Sequence, residues 1–375
     1  MRHSWTTSAE LVLRAALFTL ITGCGIATTN GPQPVSTGPS SGSPSVAPTG
    51  LQLGILWQAD ARTLYPILGV TGSAHLGAAL TPAQGNAIAA AAISSGSTSW
   101  VLFLNKDGTL QEEELPGSTT TLASKVALDS TVVLSPEGAA AALLSPSTRM
   151  VVVVTGLPTK PQVTALQLPS AYAAAGVAVS DAGTVVAGMN MGNSGGVQVG
   201  LISPTTSYSA VASIGGWGGG AFVPAAGTGS ATEAAVVADS SSAQLTYLAN
   251  LGGTSPSVAA ISSSGLIQKA AGVGVSPDGK WALVADSGKP QIVRVSLVQG
   301  GPTPSVVACA CSPQQVSPLT ADGIYSIGSN VSGQPAWILD ARTSTPRTFF
   351  VPALPSSTAN QTASASAAQS DGKSR

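Results

Sequence analysis

The chain has 375 residues, of which only 8% are charged, and its 15 Lys and Arg nearly balance 16 Asp and Glu to give a formal net charge of −1. An average soluble domain contains about 25% charged residues. This composition argues against nucleic acid as a partner, because nucleic-acid binding needs clustered Lys and Arg. The 43 glycines argue against long amphipathic helices, and the 43% of hydrophobic residues argues against a disordered chain.

The first residues predict a secretory signal peptide over residues 1–23. Arg2 and Arg14 lie in a charged segment, the apolar run Ala15–Ile21 follows, and small residues precede Cys24. This order is typical of a secretory signal. The apolar run is much shorter than the roughly 20 residues that a transmembrane helix needs.

Cys24 is a candidate lipidation site. Ile21-Thr22-Gly23-Cys24 resembles a bacterial lipobox, and the resemblance implies cleavage before Cys24 and acylation of its sulfur. The membrane is then a partner through a lipid anchor, and the expected location is the cell envelope, periplasmic or surface-exposed. Gly25 in place of an aspartate makes the outer membrane plausible. The alternative is a cleaved signal followed by an incidental cysteine.

Composition divides the remaining chain into three parts. Residues 24–50 are rich in Ser, Thr, Pro and Gly and predict a tether, in which the 26 residues after Cys24 would reach about 28 Å. Residues 51–355 form the predicted folded part. Residues 356–375 are rich in Ser, Ala and Thr and predict a disordered tail.

A short turn pattern repeats through the folded part: an apolar residue, Ser or Thr, two variable residues and Gly. The copies, some of them loosened, are Leu80–Gly85, Leu134–Gly138, Val179–Gly183, Val223–Gly227, Val275–Gly279 and Leu319–Gly323. Their glycines lie 44 to 53 residues apart, within the range of propeller repeats. Such a turn needs Gly because its backbone takes a positive φ.

Four short strands per repeat predict an all-β chain, a β-propeller of six or seven four-stranded antiparallel blades. In the repeat at Gly279, Trp281–Ala285 predicts the second strand and Gln291–Leu297 the third. In the first repeat, Trp100–Leu104 predicts the third strand and Leu110–Leu115 the fourth. Trp57, Trp100, Trp281 and Trp337 fall on predicted strands and are expected to pack between blades.

The number of blades stays open at this point. Six turn copies indicate six blades, whereas the hairpin formed by Gly54–Gln58 and Leu64–Leu68 resembles a seventh outer strand pair. The identical segments Asp60-Ala-Arg-Thr63 and Asp340-Ala-Arg-Thr343 favour that equivalence. The hairpin therefore either completes the last blade or begins a degenerate seventh.

The run VSPDGKWALVADSGKPQIVRVSL, from Val275 to Leu297, resembles the repeat of YVTN-type bacterial β-propellers, which are related in architecture to lactonase-like propellers. Ala285-Asp286-Ser287 fills the middle place of that repeat. The resemblance is close for this blade and covers the other blades only as a pattern. It implies a fold, which does not by itself imply a function.

Two residues are candidates for contact with a ligand or partner. His75 is the only histidine left after signal cleavage, and it is expected in a loop before a blade. Trp217 lies among glycines in Gly215–Gly220, which predicts an exposed loop where it could anchor a partner or a glycan. For both, an ordinary structural role is the alternative.

Cys309 and Cys311 are candidates for a disulfide in an oxidising compartment. They fall on a predicted fourth strand, where residues two apart are separated by about 6.6 Å. This separation lies at the upper edge of the Cα window for disulfides, so a bond needs a local bend. The main alternative is two packed thiols without a bond. Redox catalysis or metal binding by the two cysteines is a more remote alternative.

No catalytic residue and no metal site is predicted, because too few His and Cys remain for zinc or haem ligation. Calcium is the one cofactor left open, at the run Glu112–Glu114. The simpler reading of that run is a solvated outer strand whose charges block edge pairing. Glu137, Asp278 and Asp322 lie in the turn copies, where they are expected to cap turns.

Two functions follow from these observations. The first is a lipid-anchored, extracytoplasmic propeller that acts as a non-catalytic binding or scaffold module for an envelope protein or a glycan. The second is a lactonase-like or quinoprotein-like propeller enzyme. The shortage of His and charged residues favours the first, because such enzymes place several carboxylates, His or Arg around the central channel.

Overall fold

The computed structural model describes residues 51–354, apart from 81–87, 95–99, 116–117, 193–194, 204–205, 225–232, 243, 254, 262, 264 and 329. These residues belong to one compact unit, Ser45–Arg375. The predicted signal peptide, Cys24, the tether and the tail lie outside the described residues, and so does most of the turn copies at Leu80 and Val223. The described part holds 27 strands, and none of its segments is a helix that could span a membrane.

The strands pair in sequence order into seven antiparallel sheets, which we number as blades. Blade 1 contains β1 (Gln52–Gln58), β2 (Thr63–Val70) and β3 (Ser73–Leu76). Blade 2 contains β4 (Ile88–Ile93), β5 (Trp100–Asn105), β6 (Leu110–Glu114) and β7 (Thr119–Ala123). Blade 3 contains β8 (Thr131–Leu134), β9 (Ala140–Ser145), β10 (Met150–Thr155) and β11 (Gln162–Gln167).

The remaining four blades have the same order. Blade 4 contains β12 (Ala173–Val179), β13 (Val185–Asn190), β14 (Val197–Ser203) and β15 (Thr206–Ile214). Blade 5 contains β16 (Trp217–Phe222), β17 (Ala235–Asp239), β18 (Leu245–Ala249) and β19 (Ser257–Ile261). Blade 6 contains β20 (Ala270–Val275), β21 (Trp281–Asp286), β22 (Gln291–Ser296) and β23 (Ser305–Ala308). Blade 7 contains β24 (Ser317–Pro318), β25 (Ile324–Ser326), β26 (Ala336–Asp340) and β27 (Arg347–Val351).

The seven blades form a closed ring. We call the strands of a four-stranded blade a, b, c and d from the inside outward. The a strands of blades 2 to 7 contact one another in sequence order, and β27 of blade 7 contacts β3 of blade 1. The predicted all-β propeller is therefore confirmed, with seven blades. Because the strands alternate in direction, a–b and c–d turns lie at one end, the turn face, and b–c turns and inter-blade loops at the other, the loop face.

The b strands are buried because neighbouring blades cover both of their faces. Strands β5, β9 and β17 are buried at every position, as expected for short apolar runs without polar alternation. The apolar core lies between blades. At one such junction, Leu102 and Leu104 of blade 2 pack against Leu143 and Val154 of blade 3.

The repeated turn pattern forms the a–b turn in blades 3, 4, 6 and 7, as predicted. In blade 6, the Ser276 N–H donates to the Trp281 carbonyl oxygen over 2.9 Å, and the Gly279 N–H donates to the Ser276 carbonyl oxygen over 2.8 Å. Gly279 has φ = 67°, a conformation that a side chain would strain. The glycine of the pattern is thus required by the turn.

The strand assignment in blade 2 was wrong by one position. Trp100–Leu104 belongs to the b strand β5, and the glutamate run belongs to the c strand β6, with β7 outside it. The error arose because the loosened turn copy at Leu80 precedes β4. The a–b turn of this blade begins at Ser94, whose N–H donates to the Trp100 carbonyl oxygen over 3.0 Å, as in the other blades.

The N-terminal hairpin forms a blade of its own, in which β1, β2 and β3 correspond to strands b, c and d. The β1–β2 turn lies at the loop face, where Asp60 accepts from the Ser332 N–H of the blade 7 b–c loop over 3.0 Å. The β2–β3 turn lies at the turn face, where Thr71 accepts from Arg342 over 3.3 Å. The predicted equivalence with an outer c–d pair was therefore wrong, despite the identical tetrapeptides.

The outer d strands are almost uncharged. Strands β7, β11, β15, β19 and β23 contain no Asp, Glu, Lys or Arg. Strand β27 contains Arg347, and β3 contains His75. The outer edges of the sheets therefore carry few of the charges that commonly protect such edges.

Candidate functional site

A charged and aromatic cluster lies on the turn face at blades 6 and 7. It contains three ion pairs and a cation–π contact. We call this set the turn-face cluster: Asp278, Lys280, Trp281, Arg294, Asp322, Asp340 and Arg342. The residues come from two a–b turns, from strand ends beside them and from the β26–β27 turn, so the repeat itself brings them together.

Trp281 and Arg294 form the centre of the cluster. Arg294 lies on β22 opposite Leu283, so its side chain is on the same side of the sheet as Trp281. The guanidinium carbon is 3.5 Å from the centroid of the Trp281 ring. A guanidinium nitrogen of Arg294 also donates to the Ser344 carbonyl oxygen of blade 7 over 3.2 Å. Burial lowers the pKa of Arg294, and nearby Asp278 acts in the opposite direction.

Asp278 is held ionised at the a–b turn of blade 6. Burial works to raise its pKa, but the hydrogen bonds from the Ser276 hydroxyl and the Lys280 N–H, together with the Lys280 charge, outweigh burial and lower the pKa. The Ser276 Oγ lies 2.5 Å from Asp278 Oδ1, and the Lys280 ammonium lies 3.7 Å from Oδ2. Asp278 thus caps the turn, as expected, and also contributes a charge to the cluster.

Arg342 connects the cluster to blade 1. Its Nη2 and Nε donate to the two oxygens of Asp340 over 2.6 and 2.9 Å. Nη1 donates to Asp322 over 3.4 Å. The hydrogen bonds with Arg342 lower the pKa of Asp340, and the same pair raises the pKa of Arg342. Since Arg342 also donates to Thr71, it spans the junction between blades 7 and 1.

Tyr325 stabilises the junction between blades 6 and 7 beneath the cluster. Its side chain is buried, and its hydroxyl donates to the Val275 carbonyl oxygen of the neighbouring a strand over 3.0 Å. Burial raises the pKa of Tyr325, so the phenol stays neutral. The cluster therefore rests on a fixed contact between blades.

The cluster is suited to recognition of a polar surface. Its three cations and three carboxylates balance, and its centre is a half-buried Trp in contact with an Arg. Trp and Arg are the residue types most often found at the energetic centres of protein interfaces. Within the described residues, no group of three or more His, Cys, Asp or Glu could hold a metal ion.

The glycines around Trp217 predict an exposed loop, and this prediction is wrong. It begins the a strand β16, and its half-buried ring packs on blade 4. A Cβ at Gly176 would lie 2.0 Å from Trp217 Nε1, and a Cβ at Gly188 would lie 2.4 Å from Cε3. These glycines leave the space that the ring fills. Contact between Trp217 and a partner remains a prediction.

His75 lies on the outer strand of blade 1, opposite Leu68, and its side chain is exposed. It is therefore on a strand, not in a loop, and its role as a contact residue remains a prediction.

Cys309 and Cys311 are joined by a disulfide with a Cα–Cα distance of 5.1 Å. Strand β23 ends at Ala308, so both cysteines lie beyond the predicted strand, where the chain bends.

The charge of the glutamate run predicts a solvated outer strand, and this prediction is wrong. Glu112 and Glu113 are only 7% and 3% exposed, because β6 lies between β5 and β7. Glu112 pairs with Leu102, so it faces blade 3. Burial, with a smaller contribution from Glu114, raises the pKa of Glu112 to about 7.

Sequence reasoning missed a second kind of polar position, at the end of the b strands. Asp286 is fully buried and accepts from the N–H groups of Gln268, Lys269 and Gly288. Asp239 accepts in the same way from Gly215, Gly216 and Ser241. Each carboxylate thereby fixes the loop that enters its blade. The signal was present, since Val-Ala-Asp-Ser occurs at 237–240 and again at 284–287.

Comparison with known proteins shows the fold alone. No family model and no curated protein matches the chain. A solved structure of a functionally unknown protein from Desulfotomaculum acetoxidans is similar, with 14% identity, a TM-score of 0.52, and coverage of 80% of this chain and 99% of that one.

Two further solved structures are similar at lower scores. PorZ, a bacterial surface component of the type-IX secretion system of Porphyromonas gingivalis, has 12% identity and a TM-score of 0.48, covering 79% of this chain and 36% of that one. The Cps50 (Swd1) β-propeller domain of Myceliophteria thermophila has 11% identity and a TM-score of 0.45, covering 75% and 93%. The resemblance of blade 6 to YVTN-type repeats stays a prediction.

Proposed function

We propose that this propeller is a lipid-anchored, extracytoplasmic module that binds a protein partner through the turn-face cluster without catalysing a reaction. The contact between Arg294 and Trp281 carries the proposal. A planar cation over an aromatic ring presents a large and rigid contact area, and such residues dominate the binding energy of many interfaces. The ion pairs around it supply a polar rim with complementary charges.

The balance of charge favours a protein over a strongly charged partner. Carboxylates and cations alternate across the cluster, so neither a polyanion nor a polycation would gain from long-range attraction. A glycan is the alternative partner that the sequence suggests, and the experiment below distinguishes a glycan from a protein. The lipid anchor is supported by the lipobox-like residues before Cys24.

Capture from envelope membranes tests the binding role. We expect the full chain to retain a protein that the Trp281→Ala and Arg294→Ala variants lose, while Lys106→Ala on the loop face retains it. Equal capture by all four chains would contradict the proposal. Retention of glycans instead of protein would identify the second partner. Lactone hydrolysis or alcohol oxidation abolished by a single carboxylate substitution would instead establish an enzyme.

The anchor is tested separately. Cells fed labelled palmitate are expected to label the full chain but not a Cys24→Ser variant. Label that persists in Cys24→Ser would refute acylation at this cysteine, whatever the outcome of the capture experiment.

A further inference from the structure

The Cys309–Cys311 disulfide lies where the chain leaves blade 6. Strand β23 ends at Ala308, and the chain bends at Ala310 and Cys311 before it crosses to blade 7. Cys309 is 5% exposed and packs in the apolar core between blades 6 and 7, whereas Cys311 is half-buried. The bond therefore joins a position in the core to a position that borders on the surface.

The loop after the disulfide fixes the inner edge of blade 7. The Gln314 N–H donates to the Ile327 carbonyl oxygen over 3.1 Å. A Cβ at Gly272 would lie 2.6 Å from the Gln315 Cα, so the loop lies directly against β20 of blade 6. The inner strand that follows is only Ser317–Pro318, whereas the a strands of blades 2 to 6 have at least 4 residues. The position of blade 7 at the centre of the ring therefore depends on this loop.

The disulfide holds the start of the loop in a bent conformation. The two Cα atoms are 5.1 Å apart, whereas residues two apart in an extended strand are separated by about 6.6 Å. The Cys309 N–H donates to the Pro290 carbonyl oxygen over 2.8 Å, which continues the pairing of β23 with β22 by one residue. Without the bond, the residues after Cys309 can extend that strand, because the bend loses its covalent constraint.

Stabilisation of the whole chain does not account for a bond of this span. A disulfide stabilises a fold mainly by restricting the unfolded chain, and this effect grows with the length of the closed loop. Cys309 and Cys311 are separated by only 2 positions. The main effect of the bond is therefore local, on the bend and on the loop that follows it.

We propose that the Cys309–Cys311 disulfide is a thiol-exchange site, which a dithiol reductant opens, and that its reduction loosens the inner edge of blade 7. Exchange begins when a thiolate attacks one sulfur of the bond, and it depends on access to that sulfur. Cys311 is the residue within reach, because Ala310 and Ser312 on either side of it are small and exposed. Cys309, which lies in the core, is then the leaving group.

The exchange has two steps. A thiolate of the dithiol attacks Cys311 Sγ to form a mixed disulfide, and Cys309 leaves as a thiolate that takes a proton from water. The second thiolate of the dithiol then attacks the dithiol sulfur of the mixed disulfide, and Cys311 leaves and is protonated in turn. The dithiol loses two electrons and becomes a disulfide, while the cysteine pair gains two electrons and two protons.

Reduction also weakens the turn-face cluster, an inference that rests on the proposed function. Strand β24 leads directly into the a–b turn of blade 7, where the Leu319 N–H donates to the Ile324 carbonyl oxygen over 2.7 Å. This turn carries Asp322, which accepts from Arg342. A loosened β24 therefore releases one carboxylate of the cluster, and the reduced chain is expected to bind the partner more weakly.

Reduction without denaturant tests the exchange in the full-length Cys24→Ser chain, which has no third cysteine. We expect dithiothreitol to release two thiols that react with a maleimide. A disulfide that opens only in denaturant would overturn the proposal. In single variants, a maleimide should modify Cys311 of Cys309→Ser roughly tenfold faster than Cys309 of Cys311→Ser, because the thiol nearer the surface is more accessible. The opposite order would overturn the assignment of Cys311 as the attacked residue.

Hydrogen exchange tests the loosening. We expect reduction to speed exchange of the Gln314 and Leu319 amides by roughly tenfold or more, and to leave the amides of β10 in blade 3 unchanged. A double variant with Cys309→Ala and Cys311→Ala is expected to exchange like the reduced chain, and dithiothreitol should not change it further. Unchanged exchange after complete reduction would overturn the proposed loosening, and that measurement needs no variant at either cysteine.

Capture from envelope membranes tests the link to the turn-face cluster. We expect the oxidised Cys24→Ser chain to retain more of the partner than the double alanine variant. Equal capture by both chains would overturn the link. A chain that captures nothing in either form would contradict the proposed function but leave the reduction and exchange results intact, so the two failures are distinguishable.

Discussion

Trp217 and Trp281 are two half-buried tryptophans in different surroundings. At the junction of blades 4 and 5, the Trp217 ring fills a space left by Gly176 and Gly188. Within blade 6, the Trp281 ring lies against the Arg294 guanidinium, and Arg294 donates to the Ser344 carbonyl oxygen of blade 7. The first contact depends on shape alone, whereas the second combines an aromatic face with a charge that remains accessible.

The difference indicates where each junction can change. A glycine-lined junction has no room for an added atom, because interiors are close-packed. The polar junction can lose one partner and let water replace it, since its residues are half-buried. We therefore expect substitutions at the blade 4–5 junction to affect folding, and substitutions at the blade 6–7 junction to affect recognition.

The largest expected effect is that of Gly176→Ala. The new Cβ would lie 2.0 Å from Trp217 Nε1, so the ring or the strand must move, and we expect a loss of about 3 kcal/mol in the free energy of unfolding. Denaturant titration measures it. Gly328→Ala is the control, because its Cβ would come no closer than 3.6 Å to the nearest tryptophan, Trp337. Equal losses in both variants would contradict the packing argument.

The junction of blades 2 and 3 sharpens the comparison, because it buries the Glu112 carboxyl. The pKa of Glu112 in the folded chain is about 7, above its ordinary 4.5. The folded state therefore binds the proton more tightly, and stability falls as pH rises from 4.5 to 7. Glu112→Gln is expected to remove this fall and to stabilise the chain by about 2 kcal/mol at pH 8.

The measurement is the thermal midpoint of both chains between pH 4 and pH 8. Glu137→Gln, at an exposed turn position, serves as control and is expected to leave the pH profile unchanged. A Glu112→Gln profile parallel to that of the unsubstituted chain would show that Glu112 does not titrate in this range.

A smaller effect is expected at the contact between Trp281 and Arg294. A double-mutant cycle with Trp281→Leu and Arg294→Met should give a coupling energy of about 0.5–1 kcal/mol, as for other partly exposed cation–π pairs. The coupling should persist in high salt, because the ring carries no net charge. A coupling of zero would mean that the two groups act separately.

The smallest effect is expected for Lys280→Ala. The Lys280 and Asp278 side chains are 63% and 49% exposed, and their charged atoms are 3.7 Å apart. Such pairs contribute about 0.5 kcal/mol or less. Urea unfolding should therefore shift little, while a change as large as that of Gly176→Ala would show that the pair is part of the packed junction.

The sequence predicted those blades whose a–b turn has Ser or Thr followed by Gly at the right spacing. This held for the turns that end at Gly138, Gly183, Gly279 and Gly323. It failed in blade 2, where Leu80–Gly85 has the turn pattern but precedes the a strand β4, and in blade 1, where identical tetrapeptides belong to different turns. Local composition cannot separate these cases, because the same residues favour any tight turn.

The candidate site was not visible in the sequence. Asp278 and Asp322 are 44 residues apart, and Arg294 and Arg342 have no local signature. Only the ring brings them to one junction. The exposure of the glutamate run was also predicted wrongly. Charged residues are generally exposed, but β6 lies inside its sheet. The position of Trp217 was predicted wrongly because glycines suggest a loop, whereas here they make room for an aromatic ring.

The nearly uncharged outer strands affect how strongly copies of the molecule attract or repel one another in solution. With a formal net charge of −1, two molecules approach with little long-range repulsion, and strands such as β19 offer open hydrogen-bonding groups at their edges. The second virial coefficient from light scattering should therefore be small or negative and nearly independent of salt. Ser257→Lys and Ala259→Lys on β19 should make it positive, because they add charge at an open edge.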